Sequence, residues 1–351
     1  MVFPFLVVLT IIFLALVKNV NSKLNNPDDT SFGSETSGSQ SEENKDDDFP
    51  PVDEVFQNNK EPERESEPVF TQTQEPEPEP EPQPEPKPEP EPEPEPVVPL
   101  KTYDSLYGLI GKPLAHSTSM VRFNKFFRDQ HINAHYNNYE LESIEDVTKL
   151  IEKYPNLRGF NVTIPYKQDI IPYLTRLDET AQSIGAVNTV KVLHRDGGVE
   201  LIGYNTDWTG FTKSFGELLE GHSKALILGT GGVSKAVKYA LDKMGIENRF
   251  VSRNSNFEIM GYYELSPSVM DEFDVIVNCT PMGMWPDVNQ CPDIPYGFLS
   301  EKHLLLDVIA NPDETMFMKK GREHGATAKG GKDMLEQQAV AAWEIWDRIG
   351  E

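Results

Sequence analysis

The chain has 351 residues, 57 acidic against 32 basic, a formal net charge of −25 and two cysteines. The acidity is uneven, with a net −17 in residues 1–100 and −8 in the rest, and no basic patch suits nucleic acid. Cys279 and Cys291 are too few for a disulfide framework, no Cys/His cluster offers a metal site, and the 250-odd residues after the acidic third can hold one large or two small domains.

Val2 to Val17 is apolar apart from Thr10 and the interruption at Pro4. It is short for a membrane span, and Val20-Asn21-Ser22 would serve as a signal cleavage site. No cation precedes the run while Lys18 and Lys23 follow it, which favours an uncleaved anchor with the rest of the chain in the cytoplasm. Residues 1–22 therefore read as a signal peptide or a membrane anchor, with membrane contact through 2–17. Residues 23–100 read as a disordered acidic and Glu-Pro-rich linker, having almost no apolar pattern. From Glu75 to Pro96 glutamate and proline nearly alternate. Proline fixes φ and lacks an N–H, so an extended polyproline spacer on the order of 70 Å is expected at about 3.1 Å per residue.

The folded part opens with a short strand, Tyr107-Gly108-Leu109-Ile110-Gly111, stopped by Lys112-Pro113. His116-Ser117-Thr118-Ser119 follows, ahead of a helical stretch from Met120 to Phe127. Ser117 or Ser119 either caps that helix or, with the helix N-terminus, holds a carboxylate. A second strand over Tyr136 to Leu141 and a helix over Ile144 to Tyr154 come next. Gly159 to Pro165 reads as a strand in which Asn161 and Thr163 alternate with Phe160, Val162 and Ile164, as on a solvated face. Lys167 stands just past its proline. Ile184 to Val190 reads as another strand carrying Asn188-Thr189, and Gly197-Gly198 as a hairpin turn. Asn205-Thr206-Asp207 leads into a helix, where Thr206 or Asp207 would serve as an N-cap. Alternating strands and helices predict an α/β domain.

Ala225 to Leu228 is a continuous apolar run, as in a strand buried on both faces, and it ends in Gly229-Thr230-Gly231-Gly232 before a helical pattern. Glycines let backbone approach a ligand, and a helix start presents free N–H groups to a phosphate. Ser234 stands where the last glycine of the dinucleotide fingerprint would be. A second strand, Asn248 to Asn254, ends in Ser252-Arg253. An arginine there suits the 2′-phosphate of NADP, where an acidic residue would suit NAD. The C-terminal helix, about 334–349, has an apolar face of Leu335, Ala339, Ala342, Trp343 and Trp346 that reads as core.

The ordered set His116-Ser117-Thr118-Ser119, Asn161-Val162-Thr163-Ile164-Pro165-Tyr166-Lys167, Gly185-Ala186-Val187-Asn188-Thr189, Asn205-Thr206-Asp207, the glycine turn, Ser252-Arg253 and Asn278-Cys279-Thr280-Pro281-Met282-Gly283-Met284 resembles the shikimate dehydrogenase family across about 103–351. The resemblance implies a substrate-binding α/β domain over 101–206, to which a C-terminal helix (331–351) returns, and a Rossmann-like NADP-binding domain over 207–330. It implies reversible reduction of 3-dehydroshikimate to shikimate with NADPH. Lys167 and Asp207 would be catalytic. Ser117 and Ser119 would bind the substrate carboxylate; Thr163, Asn188 and Gln338 its hydroxyls. Gly229, Gly231 and Gly232 would line the pyrophosphate, Ser252, Arg253 and Asn254 the 2′-phosphate, and Met282 and Gly331 the nicotinamide. Ala310 stands where the family often has tyrosine, and Lys332 where an apolar residue is usual. These departures leave open a quinate or related cyclohexene-acid dehydrogenase, and the N-terminal segment leaves open a membrane-tethered, non-catalytic metabolite-binding relative.

Overall fold

The computed structural model describes residues 102–348. The expected signal or anchor over 1–22 and the linker over 23–100 lie outside the described residues, among which no helix is long and apolar enough to cross a membrane.

Two α/β lobes each carry a six-stranded sheet. The first is built from β1 (Ser105–Gly111), β2 (Ala134–Glu140), β3 (Leu157–Val162), β4 (Arg176–Leu177), β5 (Thr189–Arg195) and β6 (Gly198–Tyr204), in the order β2-β1-β3-β5-β6-β4. β1 runs parallel to β2 and β3, whereas β5 is antiparallel to both β3 and β6. The β5–β6 hairpin turns before Gly198, whose φ of 132° suits a residue without a Cβ. Helix α1 (Ser119–Asp129) buries Phe123, Phe126 and Phe127, α2 (Val147–Lys153) buries Val147, Leu150 and Ile151, and α3 (Glu179–Ile184) follows β4.

Two local expectations are corrected here. The strand expected over 184–190 is a strand only at Thr189 and Val190, which open β5; residues 184–188 are instead a helix end and a link. Asp178 caps α3 by accepting from the N–H groups of Thr180 and Ala181, and Gly185 stops it in the left-handed conformation at φ 69°. Glycine at this position is a helix C-terminal signal, which outweighs the β-branched residues after it. The polar face of β3 is not solvated either: Asn161 is 7% exposed while Ile164 is 57% exposed. β3 lies between β1 and β5 and is buried from Gly159 to Val162, so its asparagine must be satisfied internally.

The second sheet is wholly parallel: β7 (Lys224–Leu228), β8 (Glu247–Ser252), β9 (Ile259–Gly261), β10 (Val275–Asn278), β11 (Leu304–Asp307) and β12 (Thr327–Lys329), in the order β12-β11-β10-β7-β8-β9. The chain winds outward from β7 one way and from β10 the other. The crevice beyond the carboxyl ends of those two strands is the switch point at which such sheets bind ligands. Helices α4 (Asp207–Phe215), α5 (Gly232–Lys243), α6 (Pro267–Glu272) and α7 (Met316–Glu323) belong to this half, with Phe211, Phe215, Val237, Ala240 and Leu241 in its core.

The last helix, α8 (Lys332–Asp347), joins the halves. Its first turn puts Met334 into the core of the second sheet. Its later turns put Val340, Ala342, Trp343, Ile345 and Trp346 against Tyr107, Phe123, Phe126 and Tyr136 of the first lobe. Trp346 donates its indole N–H to the carbonyl of Val190 at 3.0 Å.

Candidate active site

The ends of β3, β5 and β6 converge with the starts of α4 and α5. Lys167 reaches Asp207 at the first position of α4, Nζ to Oδ2 at 2.6 Å, with both side chains mostly buried at 16% and 7% exposure. The other carboxylate oxygen, Oδ1, accepts from the Asn188 amide at 2.9 Å. Asn205 accepts from the backbone N–H of Asp207 at 3.0 Å and donates to the Ala186 carbonyl at 2.9 Å, which fixes the turn into α4. Thr206 occupies the N-cap position but makes no side-chain cap bond. Its hydroxyl instead lies 3.0 Å from Asn188 Nδ2 and 3.4 Å from Gln338 Oε1, and Gln338 Oε1 accepts from Asn188 at 3.2 Å. Lys167, Asn188, Asp207 and Gln338 thus form one hydrogen-bonded group, drawn from two loops, the start of α4 and the last helix.

Ser117, Ser119 and Thr163 lie at the carboxyl ends of β1 and β3, outside that bonded group. Ser117 Oγ accepts from the Ser119 N–H at 3.3 Å, and the residue at the N-cap of α1 is Thr118, without a side-chain cap bond. The Thr163 N–H donates to the Ile110 carbonyl at 2.9 Å, leaving its hydroxyl available.

The glycine turn touches this group from the other lobe. Gly229 sits at φ 102°, and a Cβ there would meet Thr280 Cγ2 at 3.3 Å. A Cβ on Gly232 would lie 2.8 Å from Lys167 Cβ, so only glycine admits that approach. A Cβ on Gly231 would meet nothing within 4 Å, and Gly231 is solvent exposed at the N-terminus of the twelve-residue α5. The first turn of that helix has N–H groups without intrahelical partners, and the space beside its N-cap is uncrowded. Ser252 ends β8; its hydroxyl accepts from the Asn254 N–H at 3.2 Å, and Arg253 and Asn254 are exposed at the strand tip.

Past β10, the Met282 N–H donates to Thr280 Oγ1 at 3.2 Å, and Asn278 holds the Met282 carbonyl at 3.4 Å. The N–H of Gly331, at the N-cap of α8, donates to the carbonyl of Ile309 past β11 at 2.9 Å, and a Cβ on Gly331 would collide with Val308 O at 2.3 Å. Both loops are tied to Asp307. Its buried carboxylate accepts from Thr315 Oγ1 at 2.7 Å, from the Ile309 N–H at 3.0 Å and from Asn278 Nδ2 at 3.2 Å. Burial pushes the Asp307 carboxyl up to about 6, against the opposing pull of those donors. Lys332 pairs with Asp313 at 3.1 Å, which occupies its charge within the loop after β11. Ala310 is half-buried in that loop. Cys279 is buried and its thiol pushed far up by desolvation, which makes it inert. Among the described residues no group of three or more metal-ligating side chains occurs.

Reading the sequence missed Asn161, Thr189, Asn205 and Thr206 as members of the polar group. Their signal was three asparagine-threonine pairings, Asn161/Thr163, Asn188-Thr189 and Asn205-Thr206, each at or next to a strand end.

The model of the shikimate dehydrogenase substrate binding domain matches residues 109–190. The shikimate dehydrogenase (NADP(+)) of Methanococcus vannielii is 37% identical over 263 residues, which cover 69% of this chain and 90% of that protein. A crystal structure of shikimate dehydrogenase in complex with NADP+ superposes with a TM-score of 0.60 at 32% identity, covering 69% of this chain and 90% of the other. The quinate dehydrogenase of Corynebacterium glutamicum in complex with NAD superposes with a TM-score of 0.60 at 28% identity, covering 70% and 94%.

Proposed function

We propose, because this chain belongs to the shikimate dehydrogenase family, that it catalyses the reversible reduction of 3-dehydroshikimate to shikimate with NADP as its cofactor. The observation that carries the reading is the 2.6 Å Lys167–Asp207 pair lying against the glycine turn at Gly232. A pair of this kind can deliver or take the proton that accompanies transfer at a carbonyl, and can stabilise charge developing on its oxygen. Asp207 orients the amine, and Asn188 and Gln338, beside the pair, offer the polar atoms that would hold a ring hydroxyl. A site built from several such groups discriminates strongly, since an analogue lacking one hydroxyl leaves its partner unpaired. Ser117 and Ser119 would take the substrate carboxylate, and Thr163 a hydroxyl.

The residues present fit a dinucleotide phosphate: an uncrowded Gly231 at a helix N-terminus, glycines at 229 and 232, and an exposed arginine at the tip of β8. Ser252, Arg253 and Asn254 would hold the 2′-phosphate, with Met282 and Gly331 beside the nicotinamide. When bound, NADPH supplies the hydride. The chain's own groups orient the substrate and handle the proton. The assignment places substrate binding in 101–206 with the helix of 331–351, and cofactor binding in 207–330.

Ala310 favours a second reading, in which the substrate end is enlarged or less polar and quinate is also accepted. Purified full-length protein should oxidise shikimate with NADP at a kcat/KM well above that for quinate and well above that with NAD. Comparable or higher efficiency with quinate would move the assignment to a quinate dehydrogenase. Absence of turnover with either acid would overturn both.

A further inference from the structure

Behind Asn188 runs a continuous line of buried polar side chains that reaches the far side of the first sheet. Tyr136 on β2 donates its hydroxyl to Asn161 Oδ1 at 2.8 Å. Asn161 on β3 donates through Nδ2 to the Asn188 carbonyl at 3.2 Å and to Thr189 Oγ1 at 3.1 Å. Thr189 at the start of β5 donates to Asn188 Oδ1 at 3.1 Å. Asn188 then donates to Asp207 Oδ1 at 2.9 Å. Tyr136, Asn161, Thr189, Asn188 and Asp207 are between 0% and 7% exposed, so their polar atoms find their partners within the protein.

The polarity of this line is set by backbone groups that cannot exchange roles. The Asn188 carbonyl can only accept, so the amide nitrogen of Asn161 must face it, which turns Asn161 Oδ1 towards Tyr136 and obliges the phenol to donate. Burial holds the Tyr136 phenol well above its ordinary range, so it remains a donor throughout the working pH span. At the other end the Thr206 N–H can only donate, and at 2.7 Å it fixes Asn188 Oδ1. The nitrogen of Asn188 therefore faces Asp207. Every link points the same way, and each donor is used.

We propose that Tyr136, Asn161 and Thr189 are positioning residues, whose hydrogen-bond line acts together with Thr206 to hold the Asn188 amide so that it occupies Oδ1 of Asp207 and leaves Oδ2 for Lys167. This rests on the reading of Lys167–Asp207 as the reacting pair. None of the three touches substrate or cofactor in that reading; they act through Asn188. A carboxylate held at both oxygens keeps the lysine in one place, and small displacements of a reacting group are costly.

The test uses the full-length chain carrying Thr189→Val, Thr189→Ser or Tyr136→Phe. Thr189→Val keeps the volume and removes the donor, Thr189→Ser keeps the donor, and Tyr136→Phe removes only the terminal hydroxyl. Shikimate oxidation should show kcat lowered roughly tenfold by Thr189→Val and Tyr136→Phe, with KM for NADP changed less than about twofold, and Thr189→Ser close to the parent chain. A second readout does not depend on turnover. The rate of Lys167 acylation by acetic anhydride, followed by mass spectrometry across pH relative to an exposed lysine, should rise several-fold in Thr189→Val and not in Thr189→Ser. Unchanged kcat and unchanged acylation in both Thr189→Val and Tyr136→Phe would overturn the proposal. So would equal losses in Thr189→Ser and Thr189→Val together with a lowered Tm, which would mark a packing role. An inactive parent chain would remove the catalytic reading, while the acylation arm would still report on the line itself.

Discussion

At the scale of single residues the sharpest contrast is between groups that face the cleft and groups that are buried away from it for support. Lys167, itself mostly buried, is in contact with the glycine turn and the Asp207 carboxylate at once, so truncating it should remove chemistry and also leave a buried carboxylate without its ion-pair partner. Lys167→Ala is expected to lower kcat by about 10²- to 10⁴-fold with a modest change in KM for shikimate, measured in steady state. Arg253 is exposed at a strand tip, with no structural work of its own to lose. Arg253→Ala should raise KM for NADP by roughly ten- to hundredfold while leaving KM for NAD nearly unaltered, as removal of a charge-assisted phosphate contact predicts. Asp307 is the opposite kind of residue, a buried carboxyl pushed up to about 6 in the folded chain from an ordinary value near 4. Between those values the folded state binds the extra proton, so the contribution of Asp307 to stability is greatest below about pH 4 and declines as pH rises to about 6. Its side-chain carbon resonance should titrate near pH 6 by NMR; a midpoint near 4 would contradict the burial argument.

At the scale of elements, α8 is the piece that the sequence described well and the fold used twice. Its helical spacing marked it as core-facing, and Ala339, Ala342, Trp343 and Trp346 do pack on the first lobe, whereas Leu335 joins neither core and Met334 instead packs with the second sheet. Gly159 on β3 is what admits Trp346: a Cβ there would lie 2.3 Å from the indole nitrogen. Gly159→Ala should therefore destabilise by about 1–3 kcal/mol through overpacking, read as a lower denaturation midpoint at unchanged m value. The elements misread from sequence failed for local reasons that can be named. Asn161 and Thr163 alternate with apolar residues, and alternation cannot tell a solvated face from a face satisfied by a neighbouring strand. Ile184-Gly185 was read through its β-branched neighbours, though the glycine was a helix stop. Thr206 has the composition of a cap, but Asn188 lies close enough to take its hydroxyl. The polar group was legible as a set of asparagine-threonine pairs; which atom meets which was not.

At the scale of the whole molecule, the aligned relative from Methanococcus vannielii matches 90% of its own length to 69% of this chain. About two thirds of this chain thus accounts for nine-tenths of that relative's length. A chain of residues 101–351 should retain the kcat/KM of the full-length protein within about twofold. A large loss on truncation, measured side by side, would show that the acidic segment takes part in the site.

The sequence by itself determined the family, the alternation of strands and helices, and the residue types at the ends of the strands, because those are written in local periodicity and in glycine, proline and asparagine punctuation. Only the tertiary structure decided that β7 and β10 open the crevice, that Gly232 rests on Lys167, and that Tyr136 stands at the far end of a line leading to Asp207. Such contacts join residues dozens of positions apart. They depend on strand order and on the direction each buried donor must point, and neither is a property of any short stretch of chain.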